Sequence, residues 1–195
     1  MNDTNNLNPP AILPQIEKAS KAIGFTMASD GLTGSLLRTL AATKPAGKLL
    51  ELGTGTGLAT AWLLDGMNTH ATLQTIDQDE SLVAVARQYL ATDPRVTFAV
   101  MPGEAFIESL VAQKQTFDLI FADTWPGKFW LLDETLSLLN SGGLYVIDDL
   151  LPQPNWPAGH AAKVTQLIAT LEQRPELCIT KLNWSTGILI AAKRN

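Results

Sequence analysis

Strand and helix patterns alternate along most of this chain and cease to alternate at its end. This predicts an α/β fold: a doubly wound, seven-stranded, mainly parallel sheet with helices on both faces and a C-terminal antiparallel hairpin strand. Three observations carry the prediction. Short apolar runs recur at 48–52, 72–76, 96–101, 117–122 and 144–147, separated by segments of helical spacing. Runs such as Asp118-Leu-Ile-Phe-Ala122 are apolar on both faces, as strands covered from both sides are. The last two runs, 177–182 and 187–192, are joined only by Asn183-Trp-Ser-Thr186, too short for a crossover helix, so they must pair as a hairpin.

In order, residues 1–8 are rich in Asn with little to bury, and are expected to be disordered. Residues 9–195 read as one domain, with helices over 9–44 and the strand–helix core over 48–193. From Pro9, Ile12, Leu13, Ile16, Ala19 and Ile23 recur at helical spacing, and Gly24 ends that helix. Ser29 or Asp30 can cap a second helix carrying Leu32, Leu36, Leu37 and Leu40, which stops before Pro45. These two helices either form a lid over a site or cover a sheet edge. Further helices are expected over 58–67, 80–91, 104–112, 129–139 and 158–172. Asn140-Ser-Gly-Gly143 reads as a helix stop before the fifth strand.

Composition narrows the function classes. Nineteen acidic against fourteen basic residues, a net charge of −5, argue against duplex nucleic acid as partner. Cys178 is the one cysteine; it cannot close an internal disulfide, suits a reducing compartment and reads as a small apolar strand residue. The polar first ten residues lack the features of a signal peptide. The longest apolar runs fall short of the ~20 residues that span a bilayer, so a cytoplasmic protein with no membrane partner is expected.

Lys48-Leu-Leu-Glu-Leu-Gly-Thr-Gly-Thr-Gly57 carries the chemistry. A strand enters a turn with Gly53, Gly55 and Gly57 on alternate positions, then a helix. Bare backbone there lets a ligand approach closely, and the helix start offers unpaired N–H groups and the positive end of a dipole. In an open parallel sheet ligands bind beyond the carboxyl ends of the strands, which directs attention to the residue after each strand. Asp77 follows the second strand, 24 places after Gly53, where an acid can accept from two ribose hydroxyls; Asp79 is the better helix cap. Met101-Pro-Gly-Glu-Ala105 follows the third, where Gly103 and Ala105 leave room for a flat ring and Glu104 can address its edge. Asp123-Thr-Trp125 follows the fourth, placing a carboxylate across the glycine turn and an indole that can stack. Asp148 and Asp149 follow the fifth; with Asp123 they make three oxygen donors, a set for Mg²⁺ or Ca²⁺ rather than zinc.

The order Glu51-Leu-Gly-Thr-Gly-Thr-Gly57, with its acid two places before the first glycine, resembles the first motif of class I S-adenosylmethionine-dependent methyltransferases, and the terminal hairpin extends the resemblance over about 48–193. Within that class the arrangement is similar to the catechol and caffeoyl-CoA type O-methyltransferases. The resemblance implies a Rossmann-like class I methyltransferase fold and O-methyl transfer to a small, aromatic hydroxylated acceptor. By it Glu51, Gly53, Thr54, Gly55 and Gly57 would serve the methionine end of the cofactor, and Asp77 and Gln78 its ribose and adenine. Gly103, Glu104 and Ala105 would serve adenine, with Asp123 and Trp125 at the cofactor–metal boundary. Asp123, Asp148 and Asp149 would hold Mg²⁺. Two residues depart from the pattern: Pro126 stands where that family has its catalytic lysine, and Asp149 where it has Asn. Lys128 reaches the site only if the Pro126-Gly127 turn redirects it, so the dependence on metal stays open.

The loop 151–160 carries three prolines, Trp156 and His160, and would set Trp156 as a wall beside the acceptor. Deprotonating a phenol of pKa ~10 then falls to Asp123 with a metal, Lys128 or His160, in that order. Two other readings exist: a nicotinamide-dependent oxidoreductase, and a cofactor-binding protein without chemistry. The first lacks a Tyr-x-x-x-Lys pair, since Asp stands four residues after both Tyr89 and Tyr145. A homodimer is compatible with the family resemblance, through the first two helices.

Overall fold

The computed structural model describes residues 2–5, 7–154 and 156–194. Two N-terminal helices, α1 (Leu13–Ala22) and α2 (Gly31–Ala42), precede the sheet. The first four strands are β1 (Lys48–Leu52), β2 (Thr72–Asp77), β3 (Val96–Val100) and β4 (Phe117–Ala122), linked by α3 (Leu58–Gly66), α4 (Glu80–Leu90) and α5 (Gly103–Ala112). There follow α6 (Leu132–Ser137), β5 (Leu139–Ile147), α7 (His160–Glu172), β6 (Leu177–Leu182) and β7 (Ile188–Lys193). All seven strands lie in one sheet of order β3-β2-β1-β4-β5-β7-β6. Strands β1 to β5 pair in parallel, while β7 is antiparallel to both β5 and β6. This is the expected architecture, hairpin included.

Alternation along the strands divides the core in two. Leu49, Leu73, Leu119 and Phe121 face a layer made by α1 to α4, where Ile16, Leu37, Trp62 and Leu63 are buried. Leu50, Leu52, Ile120 and Ile147 face the opposite layer, with Ile107, Leu167 and Leu171. The end of the 1–8 stretch is tied to the first layer. Leu7 packs on it, and the Arg38 guanidinium donates to the Leu7 and Asn8 carbonyls at 2.7 and 2.6 Å. Residues 1 and 6 of that stretch lie outside the described residues.

The expected caps form where the side chains allow. Asp30 Oδ1 accepts from the Thr33 N–H at 2.9 Å, and Asp79 Oδ1 from Ser81 at 2.8 Å. Three expectations are corrected. The sixth helix is short, 132–137 rather than 129–139, because residues 126–130 close a tight loop in which Gly127 donates to the Trp130 carbonyl at 2.8 Å. Asn140-Ser-Gly-Gly143 lies inside β5 rather than before it: Phe117 pairs with Leu139, the register shifts before Leu119, and the Asn140 amide donates to Asp118 at 2.9 Å. Cys178 is a strand residue but an exposed one, on the edge strand β6.

Gly34 of α2 shows how tightly the first layer closes. A Cβ built there would stand 2.3 Å from the Trp62 ring, which is 2% exposed. Alanine in an open helix position gains ~1 kcal/mol over glycine, but overpacking a filled core costs about 1–3 kcal/mol. Gly34→Ala is therefore expected to lower stability, not raise it, by ~1–2 kcal/mol in urea unfolding; a stabilised variant would show that α2 and α3 are not in this contact.

Candidate functional site

Strand β1 has β2 on one side and β4 on the other, and a cavity of about 630 Å³ opens beyond the carboxyl ends of these strands. Gly53 leaves β1 at φ +109°, and a Cβ there would lie 2.8 Å from the Thr124 methyl and 2.9 Å from the Asp123 carbonyl, so the backbone at this point must be bare. Gly53, Gly55, Asp77, Gln78, Gly103 and Glu104 line this half of the cavity, as read from the sequence. The turn's N–H groups, however, are not free. Gly53 and Thr54 both donate to the Ile76 carbonyl at 2.9 Å, Gly57 to that of Thr54 at 2.9 Å, and Gly55 to Asp77 Oδ2 at 2.9 Å. Asp77 Oδ1 accepts from Asp79 at 3.1 Å. Each Asp77 oxygen keeps one lone pair for a further donor.

Four of the expected cofactor residues stand behind the lining rather than in it. Gly57 backs onto α4, where a Cβ would meet that of Ala86 at 2.9 Å. The Thr54 hydroxyl shares a 2.6 Å hydrogen bond with that of Thr75. Ala105 is not at the cavity wall. Glu51 is wholly buried beneath the turn, its Oε2 accepting from Thr60 and Thr75 at 2.6 Å each, while Oε1 has no partner among the described residues. Loss of hydration lifts its carboxyl to about 7 in spite of the two threonine hydroxyls. Glu51 thus ties β1 to β2 and α3 from inside. At Gly103 the expected room for a flat ring is partly taken by Pro126, 3.1 Å from where a Cβ would be, and Glu104 Oε1 accepts from the Trp130 indole at 2.8 Å.

The other half of the cavity gathers the acids. One carboxylate oxygen from each of Asp123, Asp148 and Asp149 lies within 4.8 Å of the others. Asp123 Oδ2 accepts from the Ser29 hydroxyl at 3.1 Å. Asp148 is 3% exposed and pairs with Lys128, 5% exposed, at 3.4 Å. Burial and the neighbouring Asp148 hold the Asp123 carboxyl well above the usual carboxylate range. Burial also raises Asp148, against the pull of Lys128. Asp149 sits at φ +55° and donates its N–H to the Thr186 hydroxyl at 3.2 Å; next to it the Leu150 and Leu151 N–H groups meet the Gly187 and Thr186 carbonyls at 3.2 and 2.7 Å.

Aromatic rings close this half. Trp125 lies 5.9 Å from Phe129 and 5.4 Å from Trp130, both edge-on. His160 lies 5.2 Å from Phe129 and 4.6 Å from Trp156. The Lys163 ammonium stands 4.1 Å over Trp125. His160 begins α7 after Gly159 (φ +82°), its pKa is lowered by burial and then by Lys128, and its Nδ1 has no partner among the described residues. Sequence reasoning missed Phe25 and Met27 of the α1–α2 connection, which line the cavity with Phe25 against Gly55, and the contact of Ser29 with Asp123. The signal was there: Met27, 72% exposed, is a large apolar side chain in a connection that no helical stripe explains.

The residues fit a hard divalent ion by donor chemistry, being carboxylate oxygens that converge. Among the described residues, no helix is long and apolar enough to cross a membrane.

Comparison with known proteins gives one consistent answer. A family profile described as O-methyltransferase matches residues 7–194. A Mycolicibacterium vanbaalenii protein assigned as an O-methyltransferase is 29% identical over 73% of this chain. The chain spans 64% of that relative's length and 53% of the next ones. An O-methyltransferase structure from Klebsiella pneumoniae superposes with a TM-score of 0.82 at 25% identity, covering 95% of this chain and 90% of the other. TomG of Streptomyces achromogenes, solved with S-adenosylmethionine, gives 0.81 at 21% identity with the same coverage.

Glu51 supplies a test of the buried network. Its folded pKa of about 7 lies above the ordinary 4.5, so the folded protein keeps a proton that the unfolded chain has released. The resulting stabilisation is full below ~4.5 and is lost as pH rises towards 7, by up to ~3 kcal/mol. Glu51→Gln is expected to flatten the fall in stability between pH 5 and 8 by roughly 2 kcal/mol in denaturant unfolding; identical pH profiles would mean the carboxyl is charged throughout.

Proposed function

The chain belongs to the O-methyltransferase family, and from that premise we propose that it moves a methyl group from S-adenosylmethionine to a hydroxyl of a small aromatic acceptor. The observation that carries this reading is the two-part cavity. One half is bare backbone with the Asp77 carboxylate beside it, and the other is an aromatic enclosure around a cluster of carboxylates and one ammonium. TomG, with the same fold, holds S-adenosylmethionine. A nicotinamide-dependent oxidoreductase has no support from these relatives.

When bound, the sulfonium would supply an electrophilic methyl whose thioether leaving group needs no proton donor. The protein's task is to align the acceptor and help it lose its proton. Gly53 and Gly55 give the cofactor its approach, and Asp77 offers an acceptor to the ribose hydroxyls. Trp125, Phe129 and Trp156 hold a flat ring by its faces and edges. Asp123, whose backbone adjoins Gly53 and whose carboxyl holds a proton more tightly than usual, is the first proton acceptor. His160, whose pKa burial lowers and whose Nδ1 has no partner among the described residues, is the second proton acceptor in the enclosure. Mg²⁺, if present, would be held by Asp123, Asp148 and Asp149 and would favour the phenolate form of the acceptor.

Calorimetry should show S-adenosylmethionine binding and none by NAD. Asp77→Ala should weaken that binding about tenfold or more, ~1.4 kcal/mol, with Asp77→Asn in between. Unchanged affinity in the alanine variant would remove Asp77 from the site, and NAD binding would overturn the assignment. Methyl transfer to a panel of catechols tests the acceptor class.

A further inference from the structure

Lys128 lies two residues beyond the place of the family's lysine, and the chain is built to turn it inward. Pro126 fixes one dihedral, and Gly127 takes φ +85° with no room for a side chain, since a Cβ would stand 2.4 Å from Leu52 Cδ1. The turn is fastened from several sides. The Thr124 hydroxyl donates to the Pro126 carbonyl at 2.9 Å, and the buried Tyr145 hydroxyl to the Gly127 carbonyl at 2.6 Å. Gly127 also donates to the Trp130 carbonyl at 2.8 Å, and Lys128 to that of Trp125 at 3.2 Å. The outcome is an ammonium group with 6% of its side chain exposed, 3.4 Å from an Asp148 carboxylate that is 4% exposed.

A buried ammonium is costly unless paired, and three converging carboxylates are costly unless neutralised. Each solves the other's problem. The negative charge of Asp149, where the family pattern has Asn, thus joins a cluster that already carries one ammonium, paired with Asp148. We infer that Lys128 is the built-in cation of the Asp123–Asp148–Asp149 cluster, and that a divalent ion enters the cluster only by displacing its ammonium. With the lysine in place the acids remain organised without metal, and methyl transfer persists in EDTA.

The test uses Mn²⁺ alone with the purified full chain, so it depends on neither the methyl donor nor the acceptor. Electron paramagnetic resonance of free Mn²⁺ should give at least tenfold tighter binding to Lys128→Met than to the unaltered protein. Acetylation of lysines by acetic anhydride, read by mass spectrometry, should leave Lys128 protected in metal-free protein and labelled at saturating Mn²⁺. Equal affinities, no Mn²⁺ binding by either protein, or unchanged protection of Lys128 at saturation would each overturn the inference. Should Lys128→Met not fold, the labelling arm on the unaltered protein decides alone.

Discussion

Reversal of strand order at β1 is the constraint from which the rest follows. With β2 on one side and β4 on the other, the helices that leave β1 and β4 depart to opposite faces of the sheet. A hollow must then open where they diverge. The chain furnishes that hollow from strand ends rather than from a dedicated pocket. Asp77, Asp123 and Asp148 are each the last residue of a strand or the first beyond it, held by the sheet hydrogen bonds that position the backbone behind them. Functional groups on such rigid supports need little further ordering when a ligand arrives.

Carboxyl groups without water are the cost of this design, and the structure meets it in two ways. Under the glycine turn, Glu51 takes two threonine hydroxyls and holds its proton up to about pH 7 while it bridges β1, β2 and α3. Across the cavity, the acids are too close to one another to be charged independently, and the chain brings its own ammonium to them. The same sheet thus carries one acid beneath its glycine turn for support and others at its strand ends beside the cavity.

Much of this was legible from residues alone. Apolar runs on both faces marked the parallel strands, the short Asn183–Thr186 link forced the hairpin, and Asp30 and Asp79 announced their helices. The residues after each strand were found because topology, not detail, places them. What spacing could not convey was direction. Motif position put Glu51 beside the ligand, but alternation along β1 turns it inward, onto Thr60 and Thr75. Lys128 lies at the wrong distance from Asp123 for the family pattern, and only the dihedral of Gly127 brings it back. Asn140-Ser-Gly-Gly143 has the composition of a stop, yet strand pairing with β4 overrode that preference, as tertiary contacts override local propensity.

The anchoring of Asp149 carries a consequence for how the molecule comes into being. Its backbone, at a positive φ uncommon outside glycine, is fastened by Thr186, and its neighbours by Thr186 and Gly187. The acid cluster is therefore finished only when the terminal hairpin has docked on β5, and a chain cut before Thr186 lacks the groups that hold Asp149 and its neighbours.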